Sequence, residues 1–588
     1  MRNEKKALRA FQEIRRQYPQ LKQQAASSKT RNLFHQEAVI RNKLWLLQTL
    51  APMDPPGYEA VYHQYVDLLG DLSGRLLDRY NRKNSTSYEL EAVIRGHMRE
   101  YLRTGVMAVL AAYHIPQRVR EEFRRLLPRA PHLEYPAARA MHRKFILHLG
   151  DTNTGKTYQA LARMMESPRG IYLAPLRILA LENFERLNQE GVPCDLLTGE
   201  EEIRVPGARH LCCTVKMASL KGGEQGPWEV AVIDEAQLLA DSQQGDAWTR
   251  AILGLCCPEI HLCGAALAKE QLIRMIRDCG DDYELKEYVR SVPLMVEGAP
   301  ARLNHIGAGD ALVAFSKREV LNLSAILSSK GVPNHVIYGD LPPAVRRMQY
   351  EAFLASPKPV LVATDAIGMG VNLPIRRLIF TQQEKFDGES FRPLTPQEVK
   401  QIAGRAGRLG IYDVGYVACL GGGVDFIQTM LDWEDEPIPQ AVVGPSEAIL
   451  RIGLLPLREK LALWSLQEEH LPYYRKKDLR EALAILDLLK PFRLPEPVQW
   501  HLMRIPFDAE HPDLAAQFLQ YVRLRFEEGA SQLPRPVNPC RELSDWELYY
   551  RQTDLYYAFS RAMEMPMEED WLREIRIKIC KEIQRYIT

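Results

Sequence analysis

Apolar and polar positions change their spacing along the chain at about residue 140. Before that point apolar residues recur three or four positions apart, which is the spacing of a helix with one buried face. The clearest series consists of Leu90, Val93, Ile94, Met98, Tyr101 and Leu102. After it, short apolar runs alternate with helical patterns, as in parallel strands connected by helices. The pattern predicts a helical region followed by an α/β region.

Two series of strand-like runs follow one another in the α/β region. The first contains residues 171–174, 230–233 and 260–263, and the second contains residues 312–315, 335–338, 360–363 and 378–380. An acidic, proline-rich stretch at 434–439 predicts a linker, and helical patterns return after it. We therefore predict an α/β fold of two tandem units with parallel sheets, flanked by N- and C-terminal helical regions. The predicted domain boundaries are 1–140, 141–299, 300–433 and 434–588.

A glycine-bounded segment lies between a strand-like run and a helical pattern at the start of the first series. Its residues are Gly150, Asp151, Thr152, Asn153, Thr154, Gly155, Lys156 and Thr157. In such a segment backbone N–H groups and a helix N-terminus surround a polyphosphate, the lysine neutralises its outer oxygens, and the threonine hydroxyl holds Mg²⁺. We predict that these residues, Asp151 excepted, bind ATP. A glycine-rich turn without a ligand is the alternative.

Two adjacent carboxylates, Asp234 and Glu235, follow the apolar run at 230–233. The carboxyl ends of parallel strands are where open α/β sheets bind their ligands. We predict that Asp234 binds Mg²⁺ together with Thr157, and that Glu235 orients or deprotonates the attacking water. An Asp-Glu pair after a strand is most often a solvated turn, but the phosphate-binding segment favours the catalytic interpretation.

Two arginines of the second series, Arg405 and Arg408, are three residues apart and would share one face of a helix. Guanidinium groups directed at a phosphate held by the other unit stabilise the charge that develops during phosphoryl transfer. Hydrolysis would then require the two units to close. A flexible basic loop is the alternative. In a neighbouring loop, Gly368 and Gly370 permit close approach to a nucleotide or a nucleic-acid backbone.

Composition narrows the classes of protein that these motifs could serve. The chain has 588 residues, of which 46% are hydrophobic and 26% charged, so several ordinary globular domains are expected. Its net charge of +1 means that any nucleic-acid surface must be a local groove. No apolar run reaches membrane-spanning length, and the basic N-terminus lacks the apolar core of a secretory signal. The ten cysteines form no Cys-x-x-Cys pair, which argues against zinc and for a reducing compartment.

Taken in order, these motifs resemble those of superfamily 2 helicases. The resemblance is closest to the RNA helicase family of the mitochondrial degradosome and its bacterial relatives, and it covers about residues 135–423. It implies two RecA-like domains with parallel sheets, ATP and Mg²⁺ as cofactors, and 3′-to-5′ unwinding of RNA-containing duplexes. We expect a bacterial cytoplasmic location, with the mitochondrial matrix as the alternative.

The family resemblance also implies roles for further residues. Gln401 would close on the γ-phosphate with Arg405 and Arg408, and Gln237 would link the ATP site to the cleft. The nucleotide contacts implied in the second domain are Gly370 and Asn372. The implied nucleic-acid contacts are Pro175, Arg177, Thr198 and Gly199 in the first domain, and Ser316, Lys317 and Thr364 in the second. Ala265 stands where the family often has an acid, which leaves the coupling to the strand open.

Three functional classes remain after the motifs are combined. The first is an ATP-dependent helicase that acts on a single-stranded RNA tail or an RNA-containing duplex, with DNA or hybrid substrates as further options. The second is an ATPase that remodels protein–nucleic-acid complexes without unwinding. The third, a binding module with an inactive nucleotide site, is disfavoured because Lys156, Asp234 and Glu235 are all present. Family analogy adds a nuclease partner, a membrane is not expected, and the oligomeric state stays open.

Overall fold

The computed structural model describes residues 2–29, 32–223, 226–368, 373–388, 390–408 and 410–588. The chain divides into two compact units. One contains the chain up to Leu127 together with Ala448–Trp464, and the other contains Pro128–Glu447 together with Ser465–Thr588. In the described part, no helix is both long enough and apolar enough to span a bilayer.

The N-terminal part of the first unit is helical, as the apolar spacing predicts. Its helices are α1 (Arg2–Ser27), α2 (Leu33–Leu50), α3 (Tyr58–Asn84), α4 (Leu90–Ile94), α5 (Met98–Thr104), α6 (Val106–Val109) and α7 (Ile115–Leu126). Their apolar faces bury Ile14, Leu44 and Leu72 almost completely. A π-helical turn, Leu110–His114, joins α6 to α7 just before Pro116, which has no N–H to donate to the preceding turn.

The second unit begins with an eight-stranded sheet. Its elements are α8 (Pro136–Arg139), β1 (Lys144–Gly150), α9 (Lys156–Met165), β2 (Gly170–Ala174), α10 (Arg177–Gln189), β3 (Cys194–Leu197), β4 (Glu202–Ile203), β5 (His210–Thr214), β6 (Val230–Ile233), α11 (Gly245–Gly254), β7 (Glu259–Gly264), α12 (Lys269–Asp278) and β8 (Asp282–Tyr288). The strand order is β4-β3-β5-β2-β6-β7-β1-β8, and the pairs are parallel except β3 with β4. We call this sheet and its helices the first lobe.

A second parallel sheet of six strands follows, and we call it with its helices the second lobe. Its elements are β9 (Leu294–Val296), β10 (Asp310–Val313), α13 (Lys317–Ser329), β11 (His335–Ile337), α14 (Pro343–Ala355), β12 (Val360–Ala363), β13 (Arg377–Phe380), β14 (Glu384–Phe386), β15 (Phe391–Pro393), α15 (Pro396–Ala403) and β16 (Gly415–Cys419). The order is β11-β12-β10-β13-β16-β9, and β14 with β15 forms a separate hairpin. The predicted fold class, two α/β sheets flanked by helical regions, is confirmed.

The chain after the second lobe is mostly helical. Its elements are α16 (Val424–Asp432), β17 (Ala441–Val443), α17 (Leu457–Ser465), β18 (Tyr474–Lys476), α18 (Arg480–Leu489), α19 (Glu496–Leu502), α20 (Pro512–Phe526), α21 (Leu543–Ala562) and α22 (Glu569–Ile587). Residues up to Trp464 in α17 belong to the first unit. Apolar side chains of α21 and α22 pack against the second lobe, where Tyr549, Ile579 and Ile583 share a buried cluster with Leu312 and Val336.

Two buried histidines lie on neighbouring strands of the first-lobe sheet. His148 on β1 and His261 on β7 are hydrogen-bonded to each other, with 2.8 Å between Nε2 and Nδ1. The other ring nitrogens contact the Tyr288 hydroxyl at 2.7 Å and a Glu259 carboxylate oxygen at 2.9 Å. Burial lowers the pKa of His148 to about 4 and also lowers the pKa of His261. Both rings are therefore neutral in the folded protein near neutral pH.

Acidification should destabilise the first lobe through this histidine pair. An unfolded chain binds a proton at a histidine pKa of about 6.5, whereas the pKa of folded His148 is about 4. The stabilisation that comes from keeping His148 neutral is complete above about pH 6.5. As the pH falls toward about 4, the free energy of unfolding should decrease by up to about 3 kcal/mol.

We expect His148→Gln to flatten this pH dependence, because the amide cannot take up a proton in this range. Urea unfolding followed by tryptophan fluorescence at about pH 7.5 and about pH 5 measures it. Exposed His142 gives the matched control, His142→Gln. An equal loss of stability on acidification in wild-type protein and His148→Gln would assign the titration to other groups.

Candidate functional site

The predicted phosphate-binding segment has the geometry of an anion cradle. β1 ends at Gly150 and α9 begins at Lys156, and Asn153 and Gly155 adopt left-handed backbone angles, with φ of 61° and 78°. Such a turn directs successive N–H groups to one side. A Cβ at position 150 would lie 1.9 Å from the Tyr288 carbonyl oxygen, so only glycine lets β8 run beside this strand end. Lys156 Nζ donates to the carbonyls of Gly150 and Asp151, at 3.1 and 2.8 Å.

Asp234 lies at the end of β6 and is held by several donors. The Thr157 hydroxyl donates to Oδ1 at 3.1 Å and the Tyr172 hydroxyl to Oδ2 at 3.0 Å. The Glu235 backbone N–H donates to Oδ1 at 3.0 Å, and the Trp248 indole N–H donates to the Asp234 carbonyl at 2.9 Å. Burial, and secondarily the charge of Glu235, raise the pKa of Asp234 to about 6. Tyr172 holds this carboxylate and Trp248 holds the backbone of the same residue, and sequence reasoning missed both.

The contact between Thr157 and Asp234 fits a magnesium ion that also binds phosphate. Mg²⁺ prefers hydroxyl, carboxylate and phosphate oxygens, and it usually takes only one or two carboxylates from a protein. Among the residues that the structure describes, no group of three or more His, Cys, Asp or Glu side chains could hold a metal ion. The donor set therefore suits a nucleotide-bound Mg²⁺ rather than a cage made of protein side chains.

Glu235 is held in a strained conformation next to Asp234. Its φ is 51°, in the left-handed region, which costs a non-glycine residue on the order of 1 kcal/mol and is concentrated at functional sites. The Gln237 amide donates to the Glu235 carboxylate, and the Ala265 N–H donates to Gln237 Oε1 at 3.0 Å. The backbone N–H of Ala265 thus holds Gln237, and the coupling of this site to a strand stays a prediction.

The loop after α15, residues 404–408, which we call the arginine loop, touches the phosphate-binding segment directly. A Cβ at Gly404 would lie 1.9 Å from the Thr152 hydroxyl oxygen, so a side chain there would force the lobes apart. The Asn153 amide donates to the Gly407 carbonyl at 2.9 Å. The two lobes are closed on each other at this point.

The two arginines do not lie on a helix, which corrects the sequence expectation. α15 ends at Ala403, and Ala406 forms a β-bridge with Ile375. Gly407 has a left-handed φ of 71°, which ends any helical continuation. Arg405 and Arg408 therefore project from a turn.

The arginine loop faces the first lobe through its charges. Arg405 Nε donates to the Gly368 carbonyl at 3.0 Å, and the Gln401 side chain packs against Gly368. Burial raises the pKa of Glu182 on α10, and Arg408, Arg186 and Arg405 oppose that rise. Gln401 and both arginines thus gather at the side of the second lobe that meets the first.

Arg290 joins the two halves of the site and had no signal in the sequence. It lies in the connection between β8 and β9, and its backbone N–H donates to Asp151 Oδ2 at 3.2 Å. Its guanidinium donates to the Gly404 carbonyl at 2.7 Å, to the Ala406 carbonyl, and to the Val292 carbonyl at 2.6 Å. One residue therefore holds the phosphate-binding segment and the arginine loop in register.

The two predicted nucleic-acid cations are engaged by acidic side chains. Arg177 is the first residue of α10 and pairs with Glu200 and, at 3.6 Å, with Asp554 of α21. Lys317 is the first residue of α13 and pairs with Glu547 of α21. Both cations lie at the carboxyl ends of the strands of their sheets. The acids that pair with them were not predicted from the sequence.

The other predicted nucleic-acid residues have local structural contacts. Thr198 is buried, and its hydroxyl accepts from the two backbone N–H groups that follow in the turn, at 3.2 and 3.1 Å. The Ser316 hydroxyl accepts a backbone N–H of the first turn of α13 at 3.2 Å. The buried Thr364 hydroxyl accepts a backbone N–H of the turn that follows β12 at 3.3 Å. Gly199 lies against the Arg177 guanidinium, and Pro175 is half-buried before α10. Binding by these residues stays a prediction.

Two predicted nucleotide contacts, Gly370 and Asn372, lie outside the described residues. The remaining ATP-site residues come together at the carboxyl ends of β1 and β6. Thr154 lies in the same turn, where its hydroxyl donates to the Asp151 carbonyl at 3.1 Å.

Comparison with known proteins assigns both lobes. Residues 131–288 match the family model described as the DEXQ-box helicase domain of Suv3, and residues 300–410 match the helicase conserved C-terminal domain. The "ATP-dependent RNA helicase SUV3L, mitochondrial" of Oryza sativa subsp. japonica is 42% identical over 346 residues, which are 58% of this chain and 45% of the relative. The "DExH-box ATP-dependent RNA helicase DExH16, mitochondrial" of Arabidopsis thaliana is 36% identical over 484 residues, which are 76% of this chain and 81% of the relative.

A more remote likeness exists among solved structures. The match to the Escherichia coli DEAH/RHA helicase HrpB covers 74% of this chain and 60% of the HrpB chain, with a TM-score of 0.45 and 17% identity. The chain spans about 45% of the length of the rice relative. The relatives are named mitochondrial, so the expectation of a bacterial cytoplasmic location is wrong.

Replacing Arg290 should test how the arginine loop is positioned. We expect Arg290→Ala to lower the rate of ATP hydrolysis at saturating ATP by about tenfold, equivalent to about 1.4 kcal/mol of lost positioning, because two loop carbonyls lose their donor. The KM for ATP should change little, since the Arg290 side chain contacts no predicted ATP ligand. Its backbone contact with the phosphate-binding segment is kept when the side chain is removed. Steady-state kinetics with Arg302→Ala, an exposed arginine, as control measure this. A raised KM with unchanged kcat would instead indicate a role in nucleotide binding.

Proposed function

This chain belongs to the Suv3-type family of DEXQ-box helicases, and from that premise we propose that it is an ATP-dependent helicase that acts on RNA. One observation carries the proposal. The Thr157–Asp234 pair and the adjacent Glu235 lie in the first lobe, and the arginine loop of the second lobe touches the same phosphate-binding segment at Thr152 and Asn153. A site shared between two lobes couples the state of the nucleotide to their closure.

The residues of the first lobe would bind ATP and prepare water for attack. Lys156 would leave the loop carbonyls and neutralise outer phosphate oxygens, while Thr157 and Asp234 would hold Mg²⁺. When bound, that ion supplies charge neutralisation on the phosphates. Glu235 would orient the water and accept its proton, and Gln237 would keep the Glu235 carboxylate aligned.

The residues of the second lobe would complete the site. Arg405 and Arg408 would stabilise the charge that develops on the transferred phosphoryl group, with Gln401 beside them. We propose that loss of the γ-phosphate weakens the contact between the arginine loop and the phosphate-binding segment, so that the lobes open. Repeated closure and opening would then move the lobes along a strand, through contacts with phosphates and sugars that carry no sequence information.

Further parts of the proposal rest on the family. Unwinding from 3′ to 5′ and a nuclease partner are proposals of this kind. The four-domain division at 140, 299 and 433 rests on the sequence pattern and is likewise a proposal. The names of the relatives support a mitochondrial location for this chain. The sequence similarity to RNA helicases supports RNA over DNA as the substrate.

Glu235→Gln should separate nucleotide binding from hydrolysis. The amide keeps the size of the side chain but cannot accept a proton from water, so we expect ATP binding within about threefold of wild type and turnover reduced by about a hundredfold or more. Binding of a fluorescent ATP analogue and phosphate release measure the two quantities. Glu166→Gln, an exposed change on the first lobe, is the matched control. Undiminished turnover would show that another group is the base.

The substrate class can be tested with single strands and tailed duplexes. We expect single-stranded RNA to stimulate ATP hydrolysis more than DNA of the same sequence, and duplexes with a 3′ tail to be unwound in preference to those with a 5′ tail. Greater stimulation by DNA would favour a DNA helicase, and equal stimulation would contradict a preference for RNA. Stimulation without strand separation would favour the class of ATPase that remodels complexes.

A further inference from the structure

Helix α21 brings one carboxylate to each of the two cations at the nucleic-acid face. Glu547 and Asp554 are seven residues apart, which is two helical turns, so they share one face of α21 about 10 Å apart along its axis. Glu547 accepts from Lys317 of the second lobe, and Asp554 lies 3.6 Å from Arg177 of the first. A single helix thus pairs with both lobes.

The two cations are built into their lobes in the same way. Arg177 opens α10 directly after β2, and Lys317 opens α13 directly after β10. A helix N-terminus carries a partial positive charge, which adds to the charge of the side chain placed there. Each lobe therefore has a position that favours an anion. Glu547 occupies the one at Lys317. Asp554 shares the one at Arg177 with Glu200 of the first lobe, which pairs with the same guanidinium.

The carboxylate at the first lobe belongs to a polar cluster. Arg576 of α22 donates to Asp554 Oδ1 at 2.5 Å and to the Glu200 carbonyl at 2.7 Å. The Tyr550 hydroxyl donates to Glu200 Oε2 at 2.9 Å. These contacts between α21–α22 and the first lobe are hydrogen bonds and ion pairs, which a polyanion can exchange.

The carboxylate at the second lobe lies on the anchored side of the helix. The Glu547 side chain is 5% exposed, and the Tyr338 hydroxyl donates to Oε1 at 2.6 Å while Lys317 donates to Oε2. Around it, buried Tyr549 and Ile579 pack into the second-lobe core. α21 therefore stays on the second lobe when its polar contacts with the first lobe change.

We infer that Glu547 and Asp554 occupy the places of two backbone phosphates, and that α21 competes with an RNA strand for Lys317 and Arg177. The inference rests on the proposed function, because it requires that the protein bind RNA. An entering strand exchanges its phosphates for the two carboxylates, so each cation changes partner without passing through a fully hydrated state. The helix thereby lowers the affinity for RNA and selects strands that reach both lobes.

The salt dependence of binding distinguishes this exchange from ordinary phosphate contact. When a phosphate displaces a carboxylate from a cation, the counterion released from the RNA is offset by one that the freed carboxylate attracts. A cation without that carboxylate gives the full slope of about −0.7 per single-strand phosphate. We expect Glu547→Gln to bind a labelled oligouridylate about fivefold tighter at low salt. Its plot of log K against log salt should be steeper than that of wild type by about 0.7.

The controls separate competition from a structural role. Glu574→Gln removes an exposed carboxylate of α22 and should leave affinity and slope unchanged. Adding Lys317→Gln to Glu547→Gln should cancel the gain, because the freed cation is then absent. Asp554→Asn provides a second variant, and we expect it also to bind the labelled oligouridylate more tightly, in this case through Arg177.

The outcomes are distinct. Wild-type affinity and slope in both Glu547→Gln and Asp554→Asn would overturn the inference, as would a gain that survives Lys317→Gln. Weaker binding together with a lower thermal midpoint would show that the acids only hold the helix in place. If the wild-type protein bound no RNA, the proposed function would be refuted instead. If it bound only DNA, α21 would compete with a DNA strand and not with RNA.

Discussion

The meeting of the arginine loop with the phosphate-binding segment is the contact on which the rest of the site depends. Asn153 donates to the Gly407 carbonyl, and Gly404 leaves room for the Thr152 hydroxyl. Through this contact the proposed proton acceptor in one lobe and the proposed guanidinium groups in the other would act on one phosphate. Neither lobe carries the complete set, so the proposed reaction requires closure.

Closure is supported from two sides of the pair of lobes. Arg290 crosses beside the nucleotide site, where its backbone holds Asp151 and its side chain holds the arginine loop. Helix α21 crosses at the face that carries Arg177 and Lys317 and touches both lobes through carboxylates. In the proposed function the first support is close to the phosphates and the second is distant from them, so nucleotide and strand would act on different contacts of the same movement.

The parts of the site that could be predicted from sequence are those in which chemistry and chain order coincide. A phosphate cradle requires strand, glycine loop and helix in succession, which residues 145–165 supply, and Asp234 follows a run that can only be a buried strand. Tyr556 and Tyr557 recur at helical spacing and are buried, in keeping with that pattern. The arginine spacing was misleading, because the helix ends at Ala403, before Arg405, and Gly407 turns the chain between the two arginines.

Contacts between distant parts of the chain could not be predicted in the same way. Glu547 and Asp554 are ordinary acids on an amphipathic helix until the packing of Tyr549 against the second lobe sets which face turns inward. Arg290 lies in a connection with no motif, and its role follows only from the closeness of two loops more than a hundred residues apart in sequence.

The position of α21 in the chain, after both lobes, has a consequence for synthesis. Domains generally fold as they emerge from the ribosome, N-terminal part first. Both sheets are complete before residue 543 has been made, so a nascent chain presents Lys317 without its carboxylate and Arg177 with Glu200 alone. During that interval the two cations are more open to cellular polyanions, and α21 ends it by supplying negative charge from within the same molecule.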